Sequence, residues 1–348
     1  MAEINATLLG ASELLPWALR LAASRRVLAP IAEADGAVRY LPVSPDATLV
    51  FSGARPARGP KEHFMPQTDP LFTFTGSGPA VALQPVFNHE PAVIFGVRPC
   101  DGRALRSLDN VFLRRRETDA HYAARRGQTI MVGLACAEPG WGCFCTTVGG
   151  SPAGTDGLDL LLTDLGDRYH VRILTSAGRE LLEDTVCSPS SDTEERLAAE
   201  QHARAIVRLQ LAFDSNRIAE RVTWDSPIWE RVARRCLECG VCNFLCPLCH
   251  CFDIQDETTA DGGIRFRCWD TCQFDEFTKM GAGHNPRAGR KERLRQRMSH
   301  KFKYLVEEFG QAGCTGCGRC VEMCPVNIDI RAVLAELGTV PSAEHPAK

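Results

Sequence analysis

The sequence predicts an α+β chain in which a mixed α/β region, residues 1–190, precedes a helical region rich in cysteine. Three observations carry that expectation. In the first half, short apolar runs with β-branched residues are separated by Gly, Pro and Asp clusters. At Ser188-Pro189-Ser190-Ser191 the composition turns polar, and helical periodicity follows. Beyond residue 235, cysteines recur at short fixed spacings.

Taken in order, residues 27–31, 92–97, 129–134, 158–163 and 170–175 read as strands. Gly166-Asp167 sits between the last two runs and makes them a hairpin. Ser191, with Glu194 three residues on, has the form of a capping box, and Leu197, Ile206, Leu209 and Phe213 continue it as a long helix. Ser226-Pro227 opens a second helix with proline in its first turn, and that helix delivers the chain to Cys236. The division is therefore 1–190 mixed α/β, 191–235 helical connector, 236–330 helical ferredoxin-like domain, and 331–348 C-terminal helix and tail.

At 348 residues the chain can bury two cores, and 44% hydrophobic with 24% charged residues is the balance of a soluble globular protein. A net charge of −3 gives no general attraction to nucleic acid or anionic lipid. No run approaches the roughly 20 apolar residues of a membrane span, and the first ten residues lack a basic segment followed by an apolar one. The expectation is a cytoplasmic protein without a membrane span or a nucleic-acid partner. Seventeen cysteines, an odd number without an export signal, fit a reducing compartment where thiols act as ligands.

Eight of those cysteines form two copies of CxxCxxCxxxCP: Cys236, Cys239, Cys242, Cys246-Pro247, and Cys314, Cys317, Cys320, Cys324-Pro325. This is the ligand run of ferredoxins with two 4Fe-4S clusters, where three thiolates hold one cube and the fourth crosses to the other. The crossing rule assigns Cys236, Cys239, Cys242 and Cys324 to one cluster and Cys314, Cys317, Cys320 and Cys246 to the second. A zinc ribbon would use two pairs and not two quartets closed by proline. Proline after each fourth cysteine suits a chain that turns away from the cluster.

Several stretches together resemble the β subunit of soluble nickel-iron hydrogenases of the sulfhydrogenase type, with the first subunit of anaerobic sulfite reductase as a close relative. They are Phe95-Gly-Val-Arg-Pro-Cys-Asp101, Cys143-Phe-Cys-Thr-Thr-Val-Gly-Gly-Ser-Pro152, Asp164-Leu-Gly-Asp167, Cys246-Pro-Leu-Cys-His-Cys-Phe-Asp253, Trp269-Asp-Thr-Cys272, Gly283-His-Asn-Pro-Arg287 and Cys314-Thr-Gly-Cys-Gly-Arg-Cys320. The resemblance implies an iron-sulfur relay subunit with no substrate of its own, set in a hetero-oligomer between a catalytic oxidoreductase subunit and a flavin subunit that handles NAD(P). It leaves hydrogenase and sulfite reductase assemblies both open. A strand running into Pro99-Cys100-Asp101 also resembles flavin-binding reductase subunits of coenzyme-F420 enzymes, which keeps a self-contained flavin reductase as an alternative, although the cofactor expected in this chain is iron-sulfur and not flavin.

Nine cysteines remain. Cys100, Cys136, Cys143 and Cys145 follow strands or lie in a Gly-rich turn, where one sheet edge could gather them around a third iron-sulfur cluster. Cys249, Cys251, Cys268 and Cys272, with His250 adjacent, could hold zinc or another cluster. For both fours the competing reading is buried thiols packing as small hydrophobes. Cys187 reads as a free thiol. Residues 287–303 hold eight Lys or Arg against one Glu, which reads as the wet or subunit-facing side of a helix whose apolar stripe is Leu294, Met298, Phe302 and Leu305, with Arg290, Arg293 and Arg297 on another. Gly149-Gly150, Gly154 and Gly157 match no phosphate-loop pattern. His89, His121 and His284 read as structural, and Arg98 and Asp101, beside Cys100, as ion-pairing residues that could tune a nearby cluster.

Overall fold

The structure, a computed structural model, describes residues 6–53, 55–76, 78–87, 89–209 and 218–339. Phe213 and the tail 340–348 lie outside the described residues. The strands among the described residues are β1 (Ala6–Gly10), β2 (Arg26–Ala32), β3 (Val38–Pro42), β4 (Thr68–Thr75), β5 (Ala82–Pro85), β6 (Ala92–Val97), β7 (Thr129–Leu134), β8 (Leu160–Asp164), β9 (Arg168–Ile173), β10 (Cys187–Pro189), β11 (Phe252–Thr259) and β12 (Gly262–Trp269).

Eight of them form one sheet in the order β10-β1-β9-β8-β7-β6-β2-β3, whose centre, β8-β7-β6-β2, is parallel. Central parallel strands are covered on both faces, so they read as continuous apolar runs. Successive residues go to opposite sides. Val93, Phe95, Val132, Leu134, Leu160 and Leu162 pack with Trp17 from the helix Leu14–Ala22. Ile94, Met131 and Leu161 pack with Leu105 and Leu108 of the helix Pro99–Leu113 and Tyr122 of Ala120–Gly127. Each such side chain contributes about 1.5–3 kcal/mol by leaving water. The hairpin around Gly166-Asp167 forms, with Leu160 opposite Ile173 and Asp164 opposite Tyr169.

The second sheet, β11-β12-β4-β5, corrects the expectation that everything after Ser191 is helical. β11 and β12 form a hairpin in the segment between the two cysteine quartets, and β12 pairs with β4 from the first half of the chain. Residues of β11 are mostly exposed, so its polar sequence carries no apolar run to betray a strand. Buried Asp69 on β4 pins this joint: it accepts hydrogen bonds from Arg125 Nη1 and Arg267 Nε, each at 3.0 Å, and Arg267 also pairs with Asp119. Burial pushes the Asp69 carboxyl up, but the hydrogen bond and charge of Arg125 and the charge of Arg267 outweigh it and hold the group below its usual range.

The connector helix runs Asp192–Val207 and carries the full capping box between Ser191 and Glu194. Replacing Ser191 by Ala is expected to cost about 1 kcal/mol, read as faster amide exchange in the first turn of this helix; unchanged exchange there would contradict the cap. Past a short helix, Ile218–Arg221, comes Ile228–Ala233, with Pro227 at its N-cap and not within its first turn. Further on, the helix Arg290–Ser299 continues through a π-turn, His300–Tyr304, into Leu305–Phe309. Among the described residues no helix is long and apolar enough to cross a membrane.

Candidate iron-sulfur centres

The two quartets are built on one repeated loop. The third residue of each motif, Glu238 and Gly316, has positive φ, and so does the fifth, Gly240 and Gly318. Gly240 and Gly318 each cap a short helix, Val241–Phe244 and Arg319–Glu322. A Cβ on Gly318 would come within 2.4 Å of the Gly142 backbone carbon, so glycine there is demanded by packing as well as by conformation. Matching amides point at matching sulfurs: Glu238 N donates to Cys236 Sγ and Gly316 N to Cys314 Sγ, both at 3.4 Å. Leu248 N lies 3.5 Å from Cys246 Sγ and Ile328 N lies 3.2 Å from Cys324 Sγ. Amides aimed at sulfur are the donors that tune and stabilise cluster thiolates.

Cys236, Cys239, Cys242 and Cys324 line one hollow, with Leu294, Met298 and Val333 on its apolar side and Glu238, Gln273, Arg297 and Cys320 also in its lining. Cys246, Cys314, Cys317 and Cys320 form the neighbouring group. Burial pushes the Cys320 thiol up to about 12, and the charges of Cys317, Cys314 and Cys246 add to the rise. Cys239 is exposed whereas Cys317 is buried, so the first group reaches the surface and the second lies inside. Four cysteines around a hollow with an apolar side, and N–H donors directed at the sulfurs, fit a cubane cluster in the first group, and the second group repeats the loop and its N–H donors.

Arg290 is 54% exposed, but Arg293, Arg295, Arg297 and Lys301 are all buried, which corrects the reading of this helix face as a wet or subunit-facing surface for those residues. Lys301 Nζ donates to Cys246 Sγ at 3.2 Å and to the Gly313 carbonyl at 3.0 Å. Arg297 donates through Nε to Asn243 Oδ1 at 2.8 Å, while its Nη2 is buried with no partner. Attraction to the sulfurs of Cys242, Cys320, Cys249 and Cys246 outweighs the burial of Arg297 and holds its pKa above the ordinary arginine value. Lys61, from the first half of the chain, donates to the Cys246 and Cys249 carbonyls at 3.0 and 2.9 Å. The missed signal was that Arg293, Arg297 and Lys301 repeat at four-residue spacing one position before Leu294, Met298 and Phe302, so both rows turn inward together.

A buried bidentate pair fastens the second quartet to the sheet. Arg319, between Cys317 and Cys320, donates through Nη1 and Nη2 to the two carboxylate oxygens of Asp101 at 2.5 and 2.9 Å. Asp101 thus pairs as its sequence position suggested, whereas Arg98 donates to the Gly53 and Ala135 carbonyls. Arg55 and Glu322 add a second link at 2.8 Å.

The remaining cysteines divide unevenly. Cys100, Cys136, Cys143 and Cys145 line a single cavity. Cys249 neighbours Cys246, Cys251 neighbours Cys272, and Cys268 stands by Asp253 and Asp270 instead of joining the other three. Asn243 Nδ2 donates to Cys272 Sγ at 3.1 Å. Among the described residues no three His, Cys, Asp or Glu side chains converge as a lone metal ion requires, so a zinc site at Cys249, Cys251, Cys268 and Cys272 gains no support. His250 is held by its Nδ1 contact with the Leu248 carbonyl at 2.9 Å, and burial lowers its pKa to about 4. Cys187 is a free, half-buried thiol opposite Leu9 at the sheet edge. His89 and His121 pack around Phe87.

Residues 235–328 match the family described as a 4Fe-4S dicluster domain. The chain is 30% identical over 326 residues to sulfhydrogenase 2 subunit beta of Pyrococcus furiosus, a match covering 91% of this chain and 94% of that protein. No solved structure matches it. The quartets, their repeated loops and this full-length likeness lead to one conclusion: the chain is an iron-sulfur protein of the sulfhydrogenase β-subunit family.

Proposed function

We propose that this chain is the cytoplasmic electron-relay subunit of a nickel-iron hydrogenase complex, carrying electrons between the catalytic subunit and a flavin subunit that handles NAD(P). The observation that carries the reading is the pair of cysteine groups on repeated loops with cations buried between them, in a chain similar along its length to a sulfhydrogenase β subunit. Cys236, Cys239, Cys242 and Cys324 would hold one 4Fe-4S cluster and Cys314, Cys317, Cys320 and Cys246 the other. Such clusters, when bound, supply one-electron storage with little change of geometry. The chain's own residues do the rest. Thiolates fix position, the amides of Glu238 and Gly316 and the Lys301 ammonium stabilise negative charge on sulfur, and the apolar wall of Leu294 and Met298 excludes water. Exposed Cys239 gives the first group an approach from the surface.

Replacing Cys239 by Ser is expected to cut hydrogen-dependent NAD(P) reduction by the assembled complex at least tenfold, with hydrogen oxidation on artificial dyes kept within about twofold, because only the first passes through the relay. Parallel loss in both assays would sink this assignment.

A further inference from the structure

We propose that Cys100, Cys136, Cys143 and Cys145 hold a third iron-sulfur cluster, seated at the carboxyl edge of the parallel strands beside the second quartet. The topology makes the site. β6 and β7 are adjacent and parallel; the chain leaving β6 reaches Cys100 at the second residue of the helix Pro99–Leu113, and the chain leaving β7 reaches Cys136. Ligands in α/β sheets gather outside this edge. Cys143 and Cys145 arrive from the turn that enters Cys145–Val148, and all four thiols open into one cavity.

None of these four packs against an apolar core, whereas Cys187 does. Their cavity is lined by Arg55 and Arg98 together with Glu138 and Glu322. The Arg55 side chain is only 10% exposed, and its Nε is buried with no hydrogen-bond partner. Arg98 donates to two backbone carbonyls and hydrogen-bonds the Cys136 thiol, while Arg55 also pairs with Glu322 at 2.8 Å. The positive end of a 15-residue helix lies at Cys100. Two largely buried guanidinium groups beside four thiols suit an anionic cluster with four thiolates. The thiols are not drawn together on one point, and neither are those of the two quartets; in a cluster, ligands bind different irons around a cage.

The place is also right for transfer. Cys143 Sγ is 3.5 Å from the Cys317 carbonyl, and Phe144 N donates to the Gly316 carbonyl at 2.8 Å, so the site shares a wall with the second quartet. Trp141, 68% exposed, marks its outer rim. When bound, such a cluster would take one electron from the neighbouring cluster, which would be oxidised by one, and would pass it to a redox centre of the partner subunit, with no bond made and no proton moved. This role rests on the relay reading above; the existence of the cluster does not.

The test is iron and acid-labile sulfide per chain, with electron paramagnetic resonance spin counts, on the full chain purified without oxygen and reconstituted with ferrous iron and sulfide. Wild type is expected to hold about twelve iron, and Cys136→Ser and Cys145→Ser each to lose about four while the signals of the quartet pair persist. A loss of about two would also support the site and identify a smaller, two-iron cluster. The control Cys187→Ser should lose none. A wild-type count of about eight overturns the third site and leaves the two-cluster relay standing, whether or not the variants fold; a count of about four overturns both.

Discussion

Asp101→Asn is expected to destabilise the protein by about 3–5 kcal/mol, because it strands a buried guanidinium. Arg319 and Asp101 are each 1% exposed and joined by two hydrogen bonds. Arginine cannot shed its proton to escape, so Arg319 would stay charged in a dry site with one neutral amide oxygen, an opposing Nδ2 donor and the Pro56 carbonyl, 3.2 Å from Nε, in place of the carboxylate. For a chain of this size the loss should lower the anaerobic melting midpoint by about 4–7 °C. It should also loosen iron, since Arg319 lies between Cys317 and Cys320 and the pair holds that loop against the helix Pro99–Leu113. The double variant Asp101→Asn with Arg319→Met removes the stranded charge and is expected to recover at least half of the midpoint. A single variant that melts like wild type would show that the pair is not what fastens the second quartet.

Much of this arrangement was legible in the sequence, and the parts that were not share a cause. The parallel strands read clearly because burial on both faces leaves no polar interruption in Ala92–Val97 or Thr129–Leu134. The two quartets read clearly because cluster geometry fixes ligand spacing in the chain itself. What failed was inference from polarity, to secondary structure in one place and to exposure in another. β11 is polar because it is exposed in a small antiparallel sheet, so it lacked the apolar run expected of a strand. Arg297 and Lys301 are charged yet buried, because the sulfurs they face supply the compensation that water would otherwise provide. Sequence periodicity places a residue on a helix face but does not say what that face meets. Likewise the split of Cys249, Cys251, Cys268 and Cys272 depends on a hairpin whose register no local spacing encodes.

Lys301→Met is expected to lower the potential of the second-quartet cluster by about 100 mV. Reduction adds negative charge next to Cys246, and the Lys301 ammonium 3.2 Å from that sulfur stabilises it. Burial alone would favour neutral lysine, but the charges of Cys246 and Cys249 outweigh it and hold the pKa well above the ordinary lysine value, so the group is a cation at neutral pH. A unit charge about 6 Å from the added electron, at an effective dielectric constant of about 20, is worth about 3 kcal/mol. For one electron that converts to about 100 mV, since 59 mV corresponds to a factor of ten. Lys301→Arg keeps the charge and should restore most of the shift, which separates charge from mere disturbance of the loop. Removing the surface charge at Lys279, 46% exposed and paired with Glu276, should move the potential little, because solvent screens it. Potentiometric titration followed by electron paramagnetic resonance reads all three variants. Equal shifts for Lys301→Met and Lys301→Arg would mean that packing, and not the buried positive charge, sets the potential.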